Sequence, residues 1–277
     1  MDADHPIVGA ARGSGQGSVS FRRHPPPPEL RRFIEFLWTW SASDSDGLAE
    51  YVPPCMGAEI ICRTDEQSGL FVRGPHLQLA EVVIPSRARY VGARLKPGVV
   101  SRLFRVPAKD LYGSRTPLEA IGAAAARGLA DIDVGGGQRE AADRLSHALV
   151  GAFRNVEPID RVTIEAAAVD IIARRHGNIS AAALASALGC STRHLRRKMV
   201  AGLGMSPKTA ARVARIRRAI ALLGASDQPL ALVALAAGYG DQAHMTREFA
   251  ALKAPSPARI RRWSESDFGN TPNRRTG

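Results

Sequence analysis

The sequence predicts an α+β protein, with a small β-sheet or barrel and flanking helices in front and an all-α domain behind. Three observations point there. Between Ala49 and Val100 the apolar residues come in short runs punctuated by Gly and Pro, as AEIICR, GLFVRG, AEVVIP and YVGARL, which is the pattern of strands. From residue 159 onward they recur at helical spacing instead. The net charge of +12 is also uneven. Residues 158–263 hold 17 Lys and Arg against 6 Asp and Glu, whereas residues 1–157 hold 19 against 18. A neutral front and a polycationic rear imply that the rear alone meets an anionic partner, nucleic acid or lipid.

The elements follow in order. Residues 1–20 are rich in Gly, Ser and Ala and are expected to form a disordered tail. HPPPPEL (24–30) gives a stiff lead-in. Glu29 to Trp40 then reads as a short helix with Leu30, Phe33, Ile34 and Leu37 on one face, although Trp38 and Trp40 suit a strand. After the strands, LKPGVVSRLFRVPAKDLYG returns to a short helix and a loop, and 117–155 read as two helical pieces broken by DVGGGQ, the second from Arg139 to Phe153. In the rear, Val162, Ala166, Val169 and Ile172 or Ala173 mark a helix ended by Gly177. Ser180 caps a short Ala/Leu helix and Ser191 caps the next. Ser206-Pro207 opens a long helix through Leu223, Pro229 starts another that stops at GYG (238–240), and Asp241 caps a last one to about Leu252. The expected domains are therefore 21–157 and 158–263, with a second disordered tail at 264–277.

The rear half contains a repeat. In LASALGCSTRHLRRKM (184–199) and VALAAGYGDQAHMTREF (233–249), Ala185 and Gly189 match Ala234 and Gly238, and Ser191, His194, Leu195, Arg197 and Met199 match Asp241, His244, Met245, Arg247 and Phe249. The single extra residue of the second copy falls in the turn. Each copy reads as a helix, a Gly turn, a cap, and a second helix with two apolar anchors four residues apart, which is the helix-turn-helix plan. The second helix of such a unit lies in the major groove. With Leu195 and Met199 facing inward, Thr192, Arg193, Arg196 and Arg197 project outward. With Met245 and Phe249 inward, Gln242, Ala243, His244, Thr246 and Arg247 do. Arg pairs bidentately with guanine and Gln with adenine, so Arg193, Arg196, Gln242 and Arg247 are the expected base readers. Lys208, Arg212, Arg215 and Arg218 on the joining helix are expected along phosphates, and Lys198 and Arg217 are expected to touch phosphate or solvent only. Glu248 is expected to orient a neighbouring cation or face water.

This arrangement resembles the AraC family of bacterial transcription regulators. The resemblance spans about residues 160–262 and is carried by LASALGCSTRHLRRKM, GMSPKTAARVARIRRA and VALAAGYGDQAHMTREFAALKAPSPARIR, with Ala234, Gly238, Tyr239, Asp241, Arg247, Phe249 and a following Pro-Ser-Pro motif. Two departures stand out. Met199 sits where the family usually has Phe, and Gly240 precedes a reading helix with one permanent cation. Residues 20–120 resemble an amino-terminal domain of some of these regulators through YVPPCMGAEIIC, VRGPH and VGARLKPGVVSRLF, with Pro54-Cys55-Met56-Gly57 in place of the usual Pro-Asp-Gly turn. The resemblance implies a cupin-like barrel that binds a small-molecule effector or mediates dimerisation. It also implies double-stranded DNA as partner, RNA polymerase as a further contact, and action as a homodimer or monomer.

Other classes find little support. Three cysteines (Cys55, Cys62, Cys190) suit buried reduced thiols, not a disulfide framework. His194 and His244 occupy equivalent repeat positions on separate helices, which argues against a metal pair. His24, Glu59, His76, Glu81, Tyr90 and Arg94 could line a front-half pocket, but they lack the close His/Glu spacing of a cupin metal site, so no metal or cofactor is expected. GSGQG (13–17) lacks the GK[ST] of a phosphate loop. No nucleophile, metal cluster or carboxylate pair supports an enzyme, and no catalytic residue is expected. The rival readings are a non-specific architectural DNA binder and an enzyme domain tethered to DNA. The start of the chain lacks the basic-then-apolar layout of a signal peptide, and no apolar run reaches the roughly 18–20 residues a span needs. The expectation is a cytoplasmic protein without membrane contact.

Overall fold

A computed structural model describes residues 8–11, 19–42, 48–64, 69–84, 87–121, 138–154 and 163–261, together with Leu129, Ile132 and Val156. The front half is built on two antiparallel sheets. One has the order β2-β3-β8-β5-β6-β9, from Val19–His24, Ile34–Ala42, Arg89–Leu95, Ala58–Arg63, Gly69–Arg73 and Arg115–Pro117. The other is β1-β4-β7, from Val8–Ala11, Leu48–Val52 and Ala80–Ile84. The four apolar runs are thus β5 to β8. Part of the segment expected to be a disordered tail is strand instead: Val8–Ala11 pairs with β4, and β2 begins at Val19. The carboxy-terminal tail lies outside the described residues.

The helix expected over 29–40 is not there. Pro28–Leu30 forms a single 3-10 turn and Ile34–Ala42 is strand β3. The helical spacing of Leu30, Phe33, Ile34 and Leu37 has another origin. A register shift between Ile34 and Phe36 lets both Ile34 and Leu37 face the same core as Leu30 and Phe33. Beyond it, strict alternation returns and sends Phe36, Trp38, Trp40 and Ala42 to the opposite face. Gly92 lies opposite Trp38 on β8, and a Cβ there would run into the indole.

The central strands β3, β5 and β8 of the six-stranded sheet are mostly buried on both faces. Ile60, Cys62, Val72, Val91 and Ala93 meet Leu145, Leu149 and Phe153 of the helix Gln138–Phe153, and Phe33 stacks on Phe153 at 4.4 Å. Before that helix come α1 (Val99–Phe104) and α2 (Leu118–Ile121), which makes it α3.

The rear half is α4 (Ile164–Arg174), α5 (Ala181–Ala187), α6 (Thr192–Leu203), α7 (Pro207–Ala225), α8 (Leu230–Ala236) and α9 (Gln242–Ala251). All contribute to one apolar cluster, from Ile172, Leu184 and Leu195 through Ile216 and Val233 to Phe249. Val162, expected on the face of α4, lies outside the described residues.

Leu77 and Leu79 of the front half belong to that same cluster, and Met56 packs on it. Arg217 Nη1 on α7 donates to the Pro54 carbonyl at 3.1 Å. Gly204, with φ +69°, lies so close to Ala108 that a Cβ would sit 2.7 Å from its carbonyl oxygen. Apolar contact, a hydrogen bond and close backbone packing therefore join the halves. Among the described residues no helix is long and apolar enough to cross a membrane.

Candidate nucleic-acid interface

Both repeat copies fold alike, and their sequences show why. Ser191 accepts a hydrogen bond from the His194 amide at 3.2 Å and Asp241 accepts one from the His244 amide at 2.6 Å, so each reading helix starts at a satisfied cap. The turns before them contain Gly189 and Gly238 at φ +63° and +87°, left-handed values that glycine adopts without strain. Ala185 and Ala234 are buried, as are the anchor pairs Leu195/Met199 and Met245/Phe249.

That skeleton fixes what faces water. Thr192, Arg193, Arg196, Arg197 and Lys198 on α6 are exposed, as are Gln242, Ala243, His244, Thr246 and Arg247 on α9. Arg197 Nη2 lies 3.2 Å from His194 Nδ1, so those two side chains brace each other across one turn. Around them Ser191, Arg193, His194, Arg196, Arg197 and Val200 enclose a shallow concave surface. On α9 the Thr246 hydroxyl donates to the Gln242 carbonyl at 2.9 Å, so its proton is engaged within the helix. His244 meets the Tyr239 ring edge-on at 5.3 Å.

The cationic face expected along α7 divides. Lys208 is exposed. Arg212 and Arg215, expected on phosphates, are turned toward Glu248 instead. Arg212 Nε pairs with Glu248 Oε1 at 2.7 Å, and Arg215 Nη2 lies 3.9 Å from Oε2. Arg215 Nη1 also donates to the Gly177 carbonyl at 2.8 Å, and its guanidinium lies over Tyr239 at 5.8 Å. A carboxylate only 6% exposed thus faces both guanidiniums, of which Arg212 stays 30% exposed. Glu248 thereby ties α9 to α7, and Arg215 ties α7 to the turn that precedes the first unit. Burial first, and then the Glu248 charge, push the Tyr239 hydroxyl well above the usual tyrosine range. Arg218 is half-buried and faces the front half, with its Nε buried and lacking a hydrogen-bond partner. Arg217, expected on phosphate or solvent, clamps Pro54. Its only sequence signal was membership of an Arg-Arg pair, both members of which face the front half.

The front-half candidates separate too. Glu59, His76 and Arg94 come together in a buried cluster with Arg73 and Cys55. Arg94 bonds Glu59 Oε1 at 2.9 Å and Cys55 Sγ at 2.7 Å, while Arg73 lies 3.7 Å from Glu59 Oε2. Burial alone would raise the Glu59 carboxyl, but Arg94 and Arg73 hold it below the usual carboxylate range. Burial pushes the Cys55 thiol up, against Arg94, and drives His76 down to about 4. His76 also locks the Pro53–Gly57 turn, exchanging backbone hydrogen bonds with Cys55 at 2.8 and 2.9 Å. His24 instead meets Thr39 at 3.1 Å, and Tyr90 packs on Trp40 at 5.6 Å. The Glu81 side chain lies outside the described residues. Among the described residues no three His, Cys, Asp or Glu side chains gather to hold a metal ion.

Residues 184–262 match a family model described as a helix-turn-helix domain. This is an AraC-type helix-turn-helix domain. Residues 22–117, covering most of the front sheets, match a domain of unknown function, DUF6597. No curated protein matches the chain. Among solved structures, the chain is similar to an AraC-type transcriptional regulator of Chromobacterium violaceum, at 22% identity and a TM-score of 0.35 over 40% of this chain and 95% of that one. It is similar to the C-terminal domain of AraT, a response regulator of Geobacillus stearothermophilus, at 22% identity and a TM-score of 0.36 over 43% and 95%. ToxT of Vibrio cholerae covers more, at 9% identity and a TM-score of 0.44 over 89% of this chain and 98% of that one.

Proposed function

We infer that the chain is a sequence-specific DNA-binding transcription regulator of the AraC type, whose front domain controls the rear one. The observation that carries this is the twofold skeleton. Two capped helices, α6 and α9, keep their anchors buried and their polar faces in water, on one strut. At about 1.5 Å per residue the 19-residue α7 is roughly 28 Å long, which suits two readers in grooves about one helical turn apart, near 34 Å. Arg193 and Arg196 read bases from the first helix, with Gln242 and Arg247 from the second. Arg197, Lys198 and Lys208 set the register on phosphates. Arg212 and Arg215 contribute by holding the second reading helix through Glu248. An effector bound to the front domain, acting on one copy or a pair, would adjust how RNA polymerase is engaged.

Selection of bound duplexes from a randomised pool tests this directly. The expected product is a bipartite motif with its two boxes about 10 base pairs apart. Salt-sensitive binding without any enriched motif would make the chain an architectural protein instead.

A further inference from the structure

We propose that His194 and His244, which hold the same place in the two repeats, are a matched pair of DNA contacts, each donating its Nε2–H to an acceptor on the duplex. The proposal rests on the regulator reading and deepens it, since neither residue belongs to the base readers or phosphate contacts of that reading.

Each imidazole is the third residue of its reading helix, and each has its own amide bonded to the helix cap, Ser191 or Asp241. The rings therefore start from equivalent backbone positions. Their neighbours are unrelated. His194 Nδ1 faces Arg197 Nη2 at 3.2 Å, one turn further along α6. His244 Nδ1 faces the Gly240 amide at 3.5 Å, in the turn before α9, and the buried Tyr239 ring meets this imidazole edge-on at 5.3 Å. A guanidinium and a backbone N–H can only donate, so both Nδ1 atoms must accept. A neutral imidazole whose Nδ1 accepts carries its proton on Nε2. Two different neighbours thus fix the same tautomer in two units whose surfaces otherwise differ.

That tautomer decides what each ring can bind. A metal ion needs a lone pair, and both rings have theirs engaged by a protein N–H. An outward donor needs an acceptor instead, and among the described residues none meets either Nε2. Around His194 the concave wall is Ser191, Arg193, Arg196, Arg197 and Val200, with no carboxylate on it. The acceptor must therefore come from outside and be compatible with clustered guanidiniums. Phosphate oxygens and a purine N7 meet both conditions. On α9 the contact has a further consequence, because His244 adds a donor to a helix whose one permanent cation is Arg247.

The test uses the full chain and a duplex from the selection. Gln carries its amide N–H about as far out as Nε2, whereas the shorter Asn reaches only the Nδ1 position. His194→Asn is expected to weaken binding about tenfold and His194→Gln no more than about threefold. The same two substitutions at His244 should rank alike. Neither residue is buried, and matching melting curves check that all four variants stay folded. Single methylphosphonates and single 7-deazapurines then name the acceptor. At one position the modification should weaken the unsubstituted protein but leave the Asn variant unchanged. A methylphosphonate with that effect marks a phosphate contact, and a 7-deazapurine marks a base contact. Equal losses for Asn and Gln, the contrast at one histidine only, no loss at all, or losses that add to every modification would overturn the proposal. An enriched motif with any of those results would sink this inference alone. No enriched motif, with the Asn-over-Gln loss still present on arbitrary duplexes, would sink the regulator reading alone.

Discussion

The two helix-turn-helix units share a backbone plan and differ in nearly everything they show to water. The first presents Arg193, Arg196, Arg197 and Lys198 on α6 and has no acidic residue on that helix. The second presents Arg247 as its one permanent cation and commits Glu248 to the interior, where it receives Arg212 and Arg215. One unit therefore carries most of the charge aimed outward, while the other carries the ion pairs that fix its own position. Similar skeletons with unequal surfaces imply unequal shares of DNA affinity, because phosphate and guanine contacts scale with the cations that reach them.

The largest effect that would break this division is structural. Phe249→Ala, at a fully buried anchor, is expected to cost about 3–5 kcal/mol. Thermal melts should show the loss, and chemical-shift changes should concentrate in the second unit. Glu248→Ala comes next, at about 2 kcal/mol. That is less than the ~3–5 kcal/mol for breaking a fully buried pair, because Arg212 keeps 30% of its surface in water and is partly screened. The same variant should lose footprint protection over the second box before the first. A uniform loss across both boxes would mean that Glu248 does not position α9.

Arg196→Ala sharpens the comparison from the DNA side. It should lower affinity for the selected site by about 1–3 kcal/mol and relax one base position. Arg247→Ala should cost less under the same conditions, and a reversed order in a mobility-shift titration would refute the unequal division. The smallest difference lies at the caps. Both Ser191→Ala and Asp241→Ala remove a bond to a helix amide, for about 0.5–2 kcal/mol. The Asp variant should be the costlier, since a carboxylate also opposes the positive helix end. Unfolding curves of the two variants would rank them.

Much of this was legible beforehand because it depends on local rules. Periodicity, caps and turn glycines act within a few residues, so the five helices of the two units and their joining strut could be placed from spacing alone. The short strands β5 to β8 were equally plain. Glu29–Trp40 misled because a turn followed by a register shift reproduces helical spacing, and only pairing with β8 tells the two apart. Among the site residues, the outward cations of α6 followed from knowing which two residues point in. Arg212, Arg215 and Arg217 did not. Each sits on a face that looks cationic and free, and its partner lies 36, 38 or 163 residues away in the chain.

By itself the sequence determined where helices start and stop, that two similar units repeat, and that the rear half carries the charge. Those properties are set by each residue and its near neighbours. Only the tertiary structure decided which arginines remain for a partner and which are held by Glu248 and the Pro54 carbonyl. Charge in a sequence is a count, whereas its availability depends on what distant segments bring within about 4 Å.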